Sequence, residues 1–178
     1  MIDTLSDASR VAMGALHLDP EPVSLDAVVR ETVETLGQAA RRRIVVEVSD
    51  GPRLIGLWDA GLLRRLVANL IGNALKYSPA GGDVHIDVGP SGTEHARLVV
   101  ADAGLGMAPE ELATVFERFA RADRVRGQGI PGLGLGLYAC HGIVLAHGGT
   151  IALHSDGPGR GTTVIVELPL LDVETIED

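Results

Sequence analysis

Cysteine is almost absent from this 178-residue chain, with Cys140 standing alone. One thiol excludes an internal disulfide and a cysteine-based zinc site. Its place in an apolar helical pattern points to a buried, unreactive group. Aromatic residues are also scarce, at 3%, so the core has to be assembled from Leu, Val, Ile and Ala. Positive charge is in the minority: the net charge is −9, and no basic tract outweighs the acidic surface. That balance argues against nucleic acid as a partner. No apolar run reaches transmembrane length and no signal peptide is visible. The expectation is a soluble, cytoplasmic piece without membrane contact of its own, whatever anchors a larger parent. A hydrophobic share of 46% and a charged share of 22% exclude global disorder. The length suits one domain with a short extra element.

Glycine is not scarce. Asp102-Ala103-Gly104-Leu105-Gly106 opens a stretch that closes with Gly132-Leu133-Gly134-Leu135-Gly136-Leu137. Between them lie Phe116-Glu117-Arg118-Phe119 and a basic segment carrying Arg118, Arg121, Arg124 and Arg126. Glycine lets backbone N–H groups approach phosphate oxygens, and a following helix turns its partly positive N-terminus towards them. Local arginines in an acidic chain strengthen the case for an anionic ligand, and the pattern suggests a nucleotide site.

The rest of the chain supplies the walls. Met1 to about Leu16 reads as a short helix with Leu5, Ala8, Ala12 and Leu16 on one face; with no partner long enough to bury it, it is expected to be the tail of a longer helix. Asp19-Pro20-Glu21-Pro22 reads as a linker. Ser24 is a plausible N-cap for a helix from Leu25 to Ala40, with Leu25, Val28, Val29, Thr32, Val33 and Leu36 inward. Arg41-Arg42-Arg43 fits its solvated end. Strands follow at Ile44–Val48 and Leu54–Trp58. Asp59 can cap a helix from Ala60 to Tyr77, whose apolar face is Leu62, Leu63, Leu66, Val67, Leu70, Ile71 and Ala74. Asn69, Asn73 and Lys76 form a polar stripe beside that face at i, i+4 and i+7. Asparagine is a mediocre helix former, so the pair needs a reason, although a solvated face would also produce it. Val84–Val88 and Ala96–Ala101 read as paired strands across Gly89-Pro90-Ser91-Gly92. A helix from Pro109 to near Arg118, with Glu110 and Glu111 in its first turn, precedes the basic loop. A helix from Leu133 to His147 stops at Gly148-Gly149, and strands at Thr150–Ser155 and Thr162–Leu168 finish the fold. Two-strand units separated by helices predict an α+β two-layer sandwich, one sheet with its helices on one face. The acidic tail from Asp172 is expected to fray.

Four pieces now stand in one order: Asn69-(x3)-Asn73-(x2)-Lys76-Tyr77-Ser78, Asp102-x-Gly104-x-Gly106, Phe116-x-x-Phe119, and Gly132-x-Gly134-x-Gly136. Together they resemble the catalytic ATP-binding domain of a bacterial sensor histidine kinase, in the GHKL ATPase superfamily, from roughly Val23 to Pro169. The resemblance implies a mixed sheet with ATP lying between the helical layer and a flexible lid. It implies that Asp102 accepts a hydrogen bond from the adenine amino group, where guanine would present an opposing carbonyl. Gly104 and Gly106 would let the nucleotide pass close to the backbone. Asn73 would hold Mg²⁺ through its amide oxygen, Lys76 would approach the phosphates, and Tyr77 would lie along the nucleotide. Arg118 and Arg121 would help neutralise the triphosphate. Gly132, Leu133, Gly134, Leu135 and Gly136 would hinge the lid and present N–H groups. Phe116 and Phe119 would anchor the lid to the core more than touch ATP. Gly159-Arg160-Gly161-Thr162 matches the last glycine box, with a mostly structural role.

Asn69 stands where superfamily members that hydrolyse ATP carry a glutamate. An asparagine cannot act as that general base, whereas a histidine acceptor already offers a lone pair. The resemblance therefore implies phosphotransfer to a protein histidine, with a histidine-bearing dimerisation hairpin and a response regulator as partners besides ATP and ADP. Ala103 and Ala120 depart from the family pattern, which often has Asn and an aromatic there. None of His17, His85, His95, His141, His147 or His154 has the setting of a phosphoacceptor. Residues 1–22 instead resemble the end of the hairpin's second helix and its linker, 23–170 the catalytic domain, and 171–178 a tail. The chain is expected to be the catalytic piece of a longer kinase, binding nucleotide without phosphorylating itself. Three rivals remain at this point: an anti-sigma-factor-type serine kinase, a degenerate nucleotide-binding module, and a dinucleotide-binding oxidoreductase reading Gly134-x-Gly136-x-x-Ala139 with Asp156.

Overall fold

The computed structural model describes residues 2–51, 53–78, 81–120 and 133–171. Its centre is the helix Ala60–Tyr77, bounded as its periodicity predicts. Because Leu63, Leu66, Val67, Leu70 and Ile71 recur at helical spacing, one face is apolar, and all five are at most 1% exposed. Truncating a side chain so buried costs roughly 2–5 kcal/mol. Asp59 starts the helix, its carboxylate accepting the Leu62 N–H at 2.9 Å. Burial works against the ionised Asp59, yet N–H groups of Leu62, Asp19 and Gly61, with His147 nearby, hold its pKa below the usual carboxylate range.

In chain order the elements are α1 (Ile2–Ala12), β1 (Glu21–Ser24), α2 (Leu25–Glu34), α3 (Gln38–Arg41), β2 (Ile44–Val48), β3 (Ile55–Trp58), α4 (Ala60–Tyr77), β4 (Val84–Ser91), β5 (His95–Asp102), α5 (Pro109–Ala113), α6 (Gly136–Ala146), β6 (Thr150–His154) and β7 (Thr162–Pro169). Five strands form a mixed sheet in the order β2-β4-β5-β7-β6. Only β2 and β4 run parallel within it. Alternation along the strands sends Val84, Ile86 and Val88, then Ala96, Leu98 and Val100, then Val164, Val166 and Leu168 to one face. There they meet α2, α4 and α6 in a single core, so the helices lie on one face of this sheet.

Four expectations need correction. The sheet is not alone: β1 pairs antiparallel with β3 in a separate two-stranded ribbon, so Glu21 and Pro22 belong to a strand rather than to a linker. The helix expected from Leu25 to Ala40 breaks after Glu34. Thr32 and Thr35 turn their hydroxyls back onto the carbonyls of Val28 and Thr32, at 2.7 Å each, and Gly37 follows. Ser24 occupies the N-cap position, but its hydroxyl bonds Asp26 instead of capping. Finally, α1 is not without a partner. Ala8 packs with Leu135 and Ala139, and Asp7, fully buried, ion-pairs with Arg65 of α4 at 2.6 Å. Ala12, on the same helical face as Ala8, is exposed.

Candidate functional site

The C-terminal turn of α4 is where the site residues converge. Asn69, Asn73 and Lys76 line its half-buried flank. Lys76, the only lysine in the sequence, places Nζ 3.1 Å from the Tyr77 hydroxyl and 4.7 Å from the centre of its ring. Asn69 is hydrogen-bonded to the Cys140 side chain on α6. Burial of that thiol pushes its pKa up to about 12, so it stays protonated and inert, as the sequence pattern suggested. Asn73 faces the start of α6: a methyl group at Gly136 would lie 3.7 Å from its Nδ2 and 3.9 Å from its Oδ1.

The loop after β5 is fastened onto this turn. Leu105 donates its N–H to the Tyr77 carbonyl at 2.9 Å. Gly104 must be glycine for a steric reason, since a Cβ there would stand 2.1 Å from that same carbonyl oxygen. Asp102 closes β5, paired in register with Thr162. Its Oδ1 accepts the Gly104 N–H at 2.8 Å, and the Thr162 N–H also donates to the carboxylate. Burial raises the Asp102 pKa despite those two donors. A half-buried carboxylate with lone pairs to spare is suited to a neutral N–H donor.

A second loop braces the first. Gly159 and Gly161 donate their N–H groups to the carbonyls of Leu105 and Gly104 at 2.7 and 3.1 Å. Gly106 has φ +59 and lies against the Gly157 carbonyl. On the far side, Phe119 donates to the Gly134 carbonyl at 3.0 Å, and both residues have positive φ, 63 and 70. Phe116 stacks on His141 of α6 with ring centres 5.0 Å apart. Phe119 does not act as a matching anchor; its ring is exposed, and only its backbone holds Gly134. The Arg118 guanidinium sits over the rings of Phe119 and Tyr138, at 5.3 and 6.0 Å. Leu133 is exposed, whereas Leu135 is buried beneath α1. Gly132, Arg121, Arg124, Arg126 and the acidic tail from Asp172 lie outside the described residues.

Two contributors were not singled out as site residues from the sequence. Arg43, expected to be solvated, reaches the carbonyls of Ser78 and Gly82 at 2.7 Å each and holds the segment after α4. Its partners lie 35 and 39 residues away, so no local pattern announces them. Ser155 bonds both glycine loops; a serine ahead of a glycine-rich turn is the available signal.

The strand arrangement contradicts a dinucleotide-binding oxidoreductase. The strands that flank α6, β5 and β6, are not hydrogen-bonded neighbours, because β7 lies between them and runs antiparallel to both, where a dinucleotide-binding βαβ unit pairs its two strands directly. Among the described residues no cluster of three acidic, His or Cys side chains could hold a metal. Asn73 nevertheless offers a half-buried amide oxygen of the kind Mg²⁺ accepts beside phosphate and water ligands. No described helix is long and apolar enough to cross a membrane.

Comparison with known proteins points the same way. A family model described as "Histidine kinase-, DNA gyrase B-, and HSP90-like ATPase" matches residues 58–172. The chain is 38% identical over 173 residues to the sensor-like histidine kinase SenX3 of Mycolicibacterium smegmatis, covering 95% of this chain and 44% of that relative. Thus it spans less than half of that relative's length. The structure of the mycobacterial sensor histidine kinase MprB superposes with a TM-score of 0.72 at 36% identity, covering 84% of this chain and 98% of that one. Full-length ShkA in complex with AMPPNP superposes with a TM-score of 0.78 at 28% identity, over 97% of this chain and 35% of that one.

Proposed function

Because this chain belongs to the family of histidine kinase-, DNA gyrase B- and HSP90-like ATPases, we propose that it is the ATP-binding catalytic domain of a sensor histidine kinase. It passes the γ-phosphate of ATP to a histidine on a helical dimerisation hairpin, for onward transfer to a response regulator. Residues 21–171 carry the nucleotide site, and α1 is the end of the hairpin. The observation that carries this proposal is the joint at the end of α4. There the Tyr77 carbonyl takes the Leu105 N–H, so the Asp102 loop meets the helix end that carries Asn73 and Lys76, and Asn73 in turn faces Gly136 at the start of α6. Similarity to SenX3 and MprB, both named as histidine kinases, supports the same conclusion, and the AMPPNP bound to ShkA supports an adenine nucleotide.

Each residue has a chemical task. Asp102 receives the adenine amino group, a charge-assisted bond worth roughly 1.5–3 kcal/mol, or about ten- to a hundredfold in affinity. The same carboxylate opposes the carbonyl of guanine. Asn73 Oδ1 is the protein's ligand for Mg²⁺, which when bound offsets phosphate charge. Lys76 contributes a mobile cation, and the N-terminal end of α6 at Gly136 faces the phosphates with its dipole. Arg118, held over the rings of Phe119 and Tyr138, adds a second cation to offset the triphosphate charge. Asn69 has no basic lone pair with which to activate water. A neutral imidazole nitrogen needs no such base: it forms the N–P bond as the bond from the γ-phosphorus to the bridging oxygen breaks, and ADP leaves with the electron pair.

The test is a transfer assay with γ-labelled ATP, Mg²⁺ and a purified histidine-bearing hairpin from a sensor kinase. Label on the hairpin that survives alkali and is lost in acid is the expected result, with none on this chain alone. Steady release of inorganic phosphate without labelled hairpin would mark a hydrolase instead.

A further inference from the structure

We propose that Ser155 is a positioning residue for base selection: its hydroxyl sets the Asp102 loop so that the carboxylate reads adenine. The inference rests on the nucleotide reading above and adds a residue that makes no contact with the reacting phosphates.

Ser155 follows β6 and is half-buried. Its Oγ accepts the Met107 N–H at 2.9 Å and donates to the Gly161 carbonyl at 2.7 Å. A hydroxyl has one proton and two lone pairs. The Gly161 bond uses the proton, the Met107 bond one lone pair, and the longer 3.4 Å approach of the Gly157 N–H faces the other. The group is fully occupied in joining two loops.

Those loops fit too closely to move independently. A Cβ at Gly161 would fall 2.0 Å from the Asp102 carbonyl oxygen, and one at Gly106 would fall 2.1 Å from the Gly157 carbonyl oxygen. The Thr162 N–H, next in the chain after Gly161, donates to the Asp102 carboxylate itself. A shift of the 157–161 turn is therefore passed to Asp102 through backbone in van der Waals contact. The bonds from Gly159 to Leu105 and from Gly161 to Gly104 are backbone to backbone. Ser155 supplies a side chain, so its link is one that substitution can delete. Without it, Met107 loses an acceptor and the loop that begins at Asp102 is held at fewer points.

A purely structural role and a positioning role differ in what they do to different ligands. Loss of general order weakens every ligand, including one with no base. Loss of Asp102 placement weakens ATP alone and has no effect once Asp102 is gone. The experiment is a double-mutant cycle on the full chain, titrating ATP, GTP and inorganic tripolyphosphate with Mg²⁺ into wild type, Ser155→Ala, Asp102→Ala and the double variant. Ser155→Ala is expected to weaken ATP about tenfold, leave tripolyphosphate unchanged, and add nothing in the Asp102→Ala background. Ser155→Cys, close in shape but poor in hydrogen bonding, is expected to fold and behave like Ser155→Ala. The proposal is overturned if Ser155→Ala binds ATP as wild type does, if tripolyphosphate weakens in parallel, or if the loss persists without Asp102. Failure of both Ser155 variants to fold also overturns it, because the hydroxyl would then hold the domain rather than the loop. Wild type that binds no ATP would refute the nucleotide reading itself, and the reference titration shows that case separately.

Discussion

The N–H of Leu105 and the carbonyl of Tyr77 meet at 2.9 Å, joining the loop after a sheet strand to the last turn of the central helix. A helix C-terminus leaves carbonyls without intrahelical partners, and here the Asp102 loop supplies one. The bond satisfies α4 and brings the Asp102 loop to the end of the helix that carries Asn73 and Lys76. Fold stability and site geometry thus share one joint.

Gly104→Ala is expected to damage that joint while leaving the core intact. Its Cβ would lie 2.1 Å from the Tyr77 oxygen and 2.7 Å from Asp102 Oδ1, so the loop must lift. ATP affinity should fall by more than about tenfold with a cooperative unfolding transition retained, read by calorimetry and thermal melting.

Asp102→Asn should separate stability from binding. Burial raises the pKa of Asp102, so the native state takes up its proton before the unfolded chain does. At neutral pH the ionised carboxylate therefore costs stability, and the cost fades as pH falls through the raised native value. The Asn variant, uncharged, should melt at or above wild type at neutral pH, with the gap closing on acidification. Its ATP affinity should be lower, because the charge assistance to the adenine amino group is lost.

Lys76 allows a direct footprint because it is the sequence's only lysine. Acetic anhydride should modify it readily in the free chain, where its ammonium lies against the Tyr77 hydroxyl and ring. Saturating ATP with Mg²⁺ should slow that modification several-fold, with the chain's α-amino group as the internal reference, read by mass spectrometry.

Arg65→Ala should destabilise the seat of α1. Asp7 is 1% exposed at its side chain and Arg65 41%, with Arg65 bonded to Asp7 Oδ1, and among the described residues Asp7 Oδ2 has no hydrogen-bond partner. Removing the arginine strands a buried carboxylate, a loss of about 2 kcal/mol given the solvent-facing guanidinium. Asp7→Ala added to Arg65→Ala should recover part of it, which denaturant unfolding would measure.

The sequence announced what local periodicity and spacing can encode. Ala60–Tyr77 carried its core face, its cap and its polar stripe in one pattern, and the order of the glycine boxes pointed to the site. Ile44–Val48 was legible to the residue for the same reason. What stayed hidden depends on distant partners. Arg43 gives no local sign that it will bind Ser78 and Gly82, and α1 shows an apolar face without naming α6 as its cover. The break after Glu34 comes from threonine hydroxyls that turn back on the helix, a competition that apolar spacing does not register. Ser155 joins two loops separated by nearly fifty residues, so its role is visible only once both are in place.

The most direct test of the account is a calorimetric titration of the chain with ATP and Mg²⁺, run beside GTP and the Asp102→Ala variant. The account predicts saturable ATP binding that is sharply weaker for GTP and for the variant. Absence of ATP binding by a well-folded wild type, or equal affinity for ATP and GTP, would contradict it.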